Sequence, residues 1–192
     1  MALAKSLGAD QQSLMLRDNA KERMVRTMSL SDFKVLAFAT HGLVAGDLKG
    51  LAEPALVLTP PDEGTEEDDG LLTASEIATL KLDADWVILS ACNTASADGT
   101  PGADGLSGLA KAFFYAGSRA LLVSHWPVVS EAAVKLTTRM LNYASEHPNV
   151  GRAEALRQSM LALMQNDKSK FAHPLFWAPF VVVGEGGIYA AN

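Results

Sequence analysis

The sequence predicts an α/β protein built on a doubly wound, mostly parallel sheet with helices on both faces. Four short apolar runs, residues 35–39, 86–89, 120–123 and 180–183, carry no polar alternation, as expected of strands covered on both sides. The segments between them repeat apolar residues at helical spacing. The composition supplies the core: of 192 residues, 48% are hydrophobic and 20% charged, which excludes a disordered chain.

In chain order, residues 1–7 read as the end of a helix, Ser13-Leu14-Met15-Leu16 as a strand, and a helix follows from Asn19. The run at 35–39 is the first core strand. From Gly42 to Gly70 the rhythm breaks. Leu43-Val44-Ala45-Gly46-Asp47 and Ala55-Leu56-Val57-Leu58 lead into an acidic tip at 61–69, read as a projecting hairpin with a mobile, solvated end. Thr73 followed by Glu76 is a capping box before Ile77 and Leu80. After the strand at 86–89 comes a loop of small residues, glycines and aspartates at 93–105. Leu106, Leu109, Ala110 and Phe113 then mark a helix closed by Gly117. Past the strand at 120–123, Ser130 is the expected N-cap of a helix through Ala133, Leu136, Met140 and Leu141. Gly151 opens another through Leu156, Met160, Leu163 and Met164, and the strand at 180–183 ends the series.

No stretch has the pattern of a signal peptide or the length of a membrane span, which predicts a cytoplasmic protein with no membrane contact. The formal net charge of −6 argues against a module whose main work is gripping nucleic acid. One cysteine, Cys92, excludes an intrachain disulfide and a cysteine-only metal cluster, and nothing calls for a cofactor.

In a doubly wound sheet, residues just past the carboxyl ends of the strands share one rim, where ligands bind. Here the first core strand runs into Thr40-His41-Gly42, the second into Ser90-Ala91-Cys92-Asn93, and the third into Ser124-His125-Trp126. Cys92 and His41 therefore form a candidate nucleophile and base. An imidazole near a thiol favours the thiolate and can later protonate a leaving amine. The backbone N–H groups of Gly42 and Cys92 are candidate donors to a tetrahedral oxyanion. On residue type alone, a lone cysteine near a strand end is more often a small buried apolar residue than a nucleophile, and a histidine beside a glycine is often a turn or capping residue.

Local wording adds to this. Phe38-Ala39-Thr40-His41-Gly42 and Leu89-Ser90-Ala91-Cys92-Asn93-Thr94-Ala95 resemble the two signature stretches of the CHAT domain. This is a bacterial caspase-like family often found behind tetratricopeptide repeats. The resemblance continues through residues 105–113, Ala116-Gly117-Ser118-Arg119-Ala120, Trp126-Pro127-Val128 and Phe176-Trp177-Ala178-Pro179-Phe180-Val181, from about Leu30 to Gly184. It implies a cysteine endopeptidase with His41 as general base and acid and Cys92 as nucleophile. The Gly42 and Cys92 amides then form the oxyanion hole, with no third catalytic residue, no metal and no cofactor. Ser90 and Trp126 become walls of the substrate cleft, although Trp126 beside Pro127 equally fits a core aromatic. A protein or peptide is the implied substrate, and a repeat domain in cis or trans the implied regulator.

The sequence departs from the family pattern in two places. His125 stands where an apolar residue is usual, and Val129-Ser130-Glu131 follows the Trp-Pro-Val stretch where acidic residues are common. The first of the family's six core strands also has no counterpart. The expectation is a single domain over 1–192 with five core strands, an N-terminally incomplete copy of the fold, and a gap that is exposed or filled by a partner.

Three functions compete at this stage. Beside the peptidase stand a non-catalytic interaction module on the same fold and a zinc site made from Cys92, His41 and His125. The acidic tip at 62–69 favours basic substrates if it faces the cleft, and is a solvated loop otherwise. His147 and His173 read as structural.

Overall fold

The computed structural model describes residues 2–65, 68–90, 108–166 and 170–187. Its elements in chain order are α1 (Ala2–Ser6), α2 (Glu22–Thr27), β1 (Val35–Phe38), β2 (His41–Leu43), β3 (Ala55–Val57), β4 (Leu71–Thr73) and α3 (Ala74–Thr79). There follow β5 (Trp86–Leu89), α4 (Gly108–Ala116), β6 (Ala120–Ser124), α5 (Ser130–Glu146), α6 (Arg152–Asn166) and β7 (Phe180–Gly184). All four apolar runs are strands, each within a residue of its expected bounds. The chain divides into two compact units, one of residues 15–126 and one of residues 1–14 with 127–192.

In the first unit, β1, β5 and β6 form a parallel ladder with β5 in the middle. Val35 pairs with Trp86 and Phe38 with Leu89, while Ile88 pairs with Leu122. Every residue of β5 and β6 is buried, which is why neither shows polar alternation in the sequence. β1 is different. It pairs with β5 alone among the described residues, and Ala37 is exposed. The carbonyls of Lys34 and Phe38 accept from Trp86 and Ser90, so by strand alternation the backbone groups of Val35 and Ala37 face away from β5.

Residues 41–73 are more than a hairpin. β2, β3 and β4 make a small antiparallel sheet, with His41 opposite Val57 and Leu56 opposite Leu72. Leu56 and Leu72 are fully buried. At the acidic tip Thr65 and Asp68 form an isolated bridge, while Asp62 and Glu63 are exposed. The capping box is present: the Thr73 hydroxyl accepts from the Glu76 amide, and the Glu76 carboxylate accepts from the Thr73 amide. α3 packs on α4, whose Phe113 is buried with its ring centroid 5.4 Å from that of Phe38.

Glu22 of α2 ties the base of the acidic tip. Its side chain is 1% exposed, accepts from the amides of Asp69 (3.1 Å) and Gly70 (3.3 Å), and pairs with Arg26, which also reaches Glu76. Burial, followed by the nearby Glu76 charge, raises the Glu22 carboxyl above its usual 4.5. The folded state therefore holds this proton more tightly than the unfolded chain, so this group's contribution to stability grows as pH falls from neutral through its folded pKa. Glu22→Gln keeps an acceptor and removes the charge, and is expected to stay within about 1 kcal/mol of wild type at pH 7 with a flatter pH dependence. Glu22→Ala leaves two amides without their acceptor and is expected to cost about 2 kcal/mol. Urea unfolding between pH 7 and pH 5 measures both.

The amino ends of the parallel strands carry charge. Lys34 precedes β1, Asp85 precedes β5 and Arg119 precedes β6. Asp83 bonds to both Lys34 and Arg119, and Arg119 also reaches Asp85. The Lys34 hydrogen bond, chiefly, holds the Asp83 carboxyl below its usual 3.8.

In the second unit, α5 and α6 pack along their lengths through buried Leu136, Met140 and Leu163, with α1 against α5. The buried Ser159 hydroxyl donates to the Leu136 carbonyl at 2.7 Å. β7 packs against α6. Gly151, just before α6, fits there because a Cβ would sit 2.8 Å from the Gly186 carbonyl oxygen.

Several expectations need correction. Ser13-Leu14-Met15-Leu16 is no strand, and among the described residues the main sheet has four strands where five were expected. The Asp10 carboxylate captures both the amide and the hydroxyl of Ser13, and the chain turns instead of extending. The helix expected from Asn19 begins at Glu22, after a single 3-10 turn at Arg17–Asn19. Ser130 is the first residue of α5 and not its cap. Val129 occupies that position and contributes only its carbonyl, which accepts from Ala132 and Ala133. The loop at 93–105 and Leu106 lie outside the described residues.

Candidate active site

The rim expected from the strand order is visible in the ladder. β1 and β5 end side by side, and one more bond extends the pairing, from the Ser90 amide to the Phe38 carbonyl at 3.0 Å. Two residues beyond the Ile88–Leu122 pair, the two strands reach Ser90 and Ser124, so the three strands end at the same level. His41 lies three residues past Phe38 and is exposed. Ser90 is exposed, Ser124 buried, His125 exposed and Trp126 half-buried.

His41 gets there by a change of sheet. The chain leaves the parallel ladder at Phe38, crosses Ala39 and Thr40, and enters the antiparallel sheet at His41. Gly42 is the second residue of β2, opposite Leu56. The Thr40 hydroxyl donates to the carbonyl of Val57, the residue that pairs with His41. Sequence reading overlooked Thr40. The available signal was a hydroxyl residue at a strand end beside a candidate base, a type that readily bonds nearby backbone.

Of the expected site residues, the structure sets His41, Gly42 and Ser90 at adjoining strand ends, with His125 and Trp126 past the end of the next strand. Cys92, both as nucleophile and as oxyanion-hole amide, lies outside the described residues, and the zinc alternative lies outside with it. Both flanks of the segment 91–107 are placed. Ser90 is bonded to β1, while at the other flank Gly108 approaches Pro54, just before β3, so closely that a Cβ would lie 3.2 Å from its ring.

Among the described residues, no helix is long and apolar enough to cross a membrane. A family model described as the CHAT domain matches residues 1–185.

The chain belongs to the CHAT family.

Its α/β architecture, with parallel strands and interleaved helices, is the caspase-like fold of that family. This CHAT chain is 36% identical over 165 residues to Tetratricopeptide repeat protein 28 of Mus musculus, an alignment covering 78% of the chain and 6% of the relative. To Tetratricopeptide repeat protein 28 of Homo sapiens it is 35% identical over 114 residues, 59% of the chain and 4% of the relative. The CHAT chain thus spans a small fraction of these relatives' length, and both are named for tetratricopeptide repeats. Both are mammalian, whereas the sequence suggested a bacterial setting.

Proposed function

We propose that this CHAT domain is a cysteine endopeptidase that works through His41 and Cys92. The observation that carries the reading is the bond between Ser90 and Phe38, which ties the strand leading to Cys92 beside the strand leading to His41. In the sequence, Cys92 follows Ser90 by two residues and His41 follows Phe38 by three.

The chemistry follows from the residue types. His41 takes the thiol proton of Cys92, and the sulfur attacks the peptide carbonyl, forming a carbon–sulfur bond and a tetrahedral oxyanion. The amides of Gly42 and Cys92 stabilise that oxygen, and glycine at 42 leaves no side chain in the approach path. Collapse breaks the carbon–nitrogen bond, and the amine leaves with the proton held on His41. A water, deprotonated by His41, then attacks the thioester; the carbon–sulfur bond breaks and the thiol is restored. Ser90 and Trp126 flank this path as walls of the substrate cleft. The names of the relatives support a repeat domain, on the same chain or on a partner, as regulator of access.

The test uses a fluorogenic peptide library, because the residue preferred before the cut is open. Wild type is expected to cleave a subset of the library, and Cys92→Ala to cleave none of it, while an electrophilic peptide labels wild type at Cys92. Equal cleavage by the two proteins, or none by wild type, returns the domain to the alternative of a non-catalytic interaction module.

A further inference from the structure

We infer that Thr40 is a positioning residue for His41, acting through its hydroxyl; the inference rests on the His41–Cys92 reading and names a part of the same site. His41 opens a strand of only three residues, held to β3 by three cross-strand pairs. It is the end pair of that ladder, and strand ends fray most easily. Between His41 and the parallel sheet lie only Ala39 and Thr40, which belong to neither ladder.

The Thr40 hydroxyl bonds at this weak point. Its acceptor is the carbonyl of Val57, the very residue that faces His41 across the ladder. The acceptor is itself held in place, because the next two amides are tied: Leu58 donates to the Gly70 carbonyl at 2.8 Å and Thr59 to the Ala20 carbonyl at 2.9 Å. The side chain of Thr40 thus adds a fourth tie, one residue beyond the third pair. It fixes the backbone of His41 against β3 just where the chain passes from one sheet to the other. The ring is carried by this backbone, so fixing the backbone of His41 sets where the imidazole can reach. A general base must lie within hydrogen-bond reach of its proton, and small displacements are costly there.

The chain has one cysteine, so alkylation by iodoacetamide reads Cys92 alone. Its rate against pH follows the thiolate, which an imidazole partner maintains below the usual thiol pKa of about 8.5. Wild type is expected to alkylate readily at pH 6.5, and His41→Ala to lose that reactivity. Thr40→Val keeps the branched shape without the hydroxyl; it is expected to slow alkylation at pH 6.5 about tenfold while alkylation above pH 9 is unchanged. Thr40→Ser restores the hydroxyl and is expected to stay within about twofold of wild type. Should the valine variant not fold, Thr40→Ala lacks the same hydroxyl and reports the same quantity. A His41→Ala profile identical to wild type overturns the dyad itself. A shifted His41→Ala profile with Thr40→Val matching wild type overturns only the role of Thr40, as does a Thr40→Ser profile shifted as far as that of valine.

Discussion

His41→Ala is expected to lower kcat/KM for peptide cleavage by about 100-fold or more while the domain melts at its wild-type temperature. The two halves of that expectation come from different features. His41 is exposed at the first position of a short strand, so removing its ring empties no cavity and strips no buried partner. On the peptidase reading, catalysis loses three proton transfers: the one that makes the thiolate, the one that releases the amine and the one that activates the hydrolytic water. The comparison is a Michaelis–Menten series on the best peptide found for wild type, paired with thermal melts of both proteins. A variant retaining more than about a tenth of wild-type activity places the base elsewhere. His125, exposed past the end of β6, is then the next residue to replace.

Gly117→Ala is expected to destabilise the domain by about 3 kcal/mol or more and to lower the melting temperature by about 6–12 °C. A glycine at an exposed position ordinarily tolerates alanine. This one does not, for two independent reasons. Its φ is +110°, a backbone conformation that side-chain-bearing residues rarely adopt. An added Cβ would also lie 2.4 Å from the Leu82 carbonyl oxygen, and the neighbour in the way is backbone. Leu82 cannot simply withdraw, because its amide donates to the Ala116 carbonyl at 2.8 Å. Gly117 also closes α4: its amide bonds to the Phe114 carbonyl, and that of Ser118 reaches back to Phe113. The substitution therefore disturbs the helix end and the connector into β5 together. Against a total stability of about 5–15 kcal/mol, that is a large share. Denaturant unfolding followed by circular dichroism measures it, and a loss under about 1 kcal/mol would show that Leu82 moves aside at little cost.

How much of this was legible in the sequence depended on where the determining interactions lie. Trp86-Val87-Ile88-Leu89 and Ala120-Leu121-Leu122-Val123 announce themselves, since a strand buried on both faces has to be apolar throughout. Thr73 and Glu76 were equally readable, because a capping box closes within four residues. β2 and β4 were missed. Each is three residues long, too short for any period, and each exists only because it pairs with β3. Ser13-Leu14-Met15-Leu16 misled for the opposite reason: its apolar content favours a strand, but one aspartate three residues upstream bends the chain locally. At the site, His41, Gly42 and Ser90 followed from the rule that ligands gather at strand ends. The contribution of Thr40 did not, because its acceptor Val57 is 17 residues away and the pairing of those two strands had to be known first.

The two ends of the parallel ladder differ in kind. At the amino end, charged residues from the approaches to all three strands are bonded to one another, and β5 and β6 beyond them are buried throughout. At the carboxyl end stand His41, Ser90 and His125, exposed and outside the core packing. Heritable change therefore meets little resistance at the rim, because substitutions there cost the fold little. On the peptidase reading, one codon at position 41 would separate a descendant that cuts its ligand from one that only holds it, with both equally well folded.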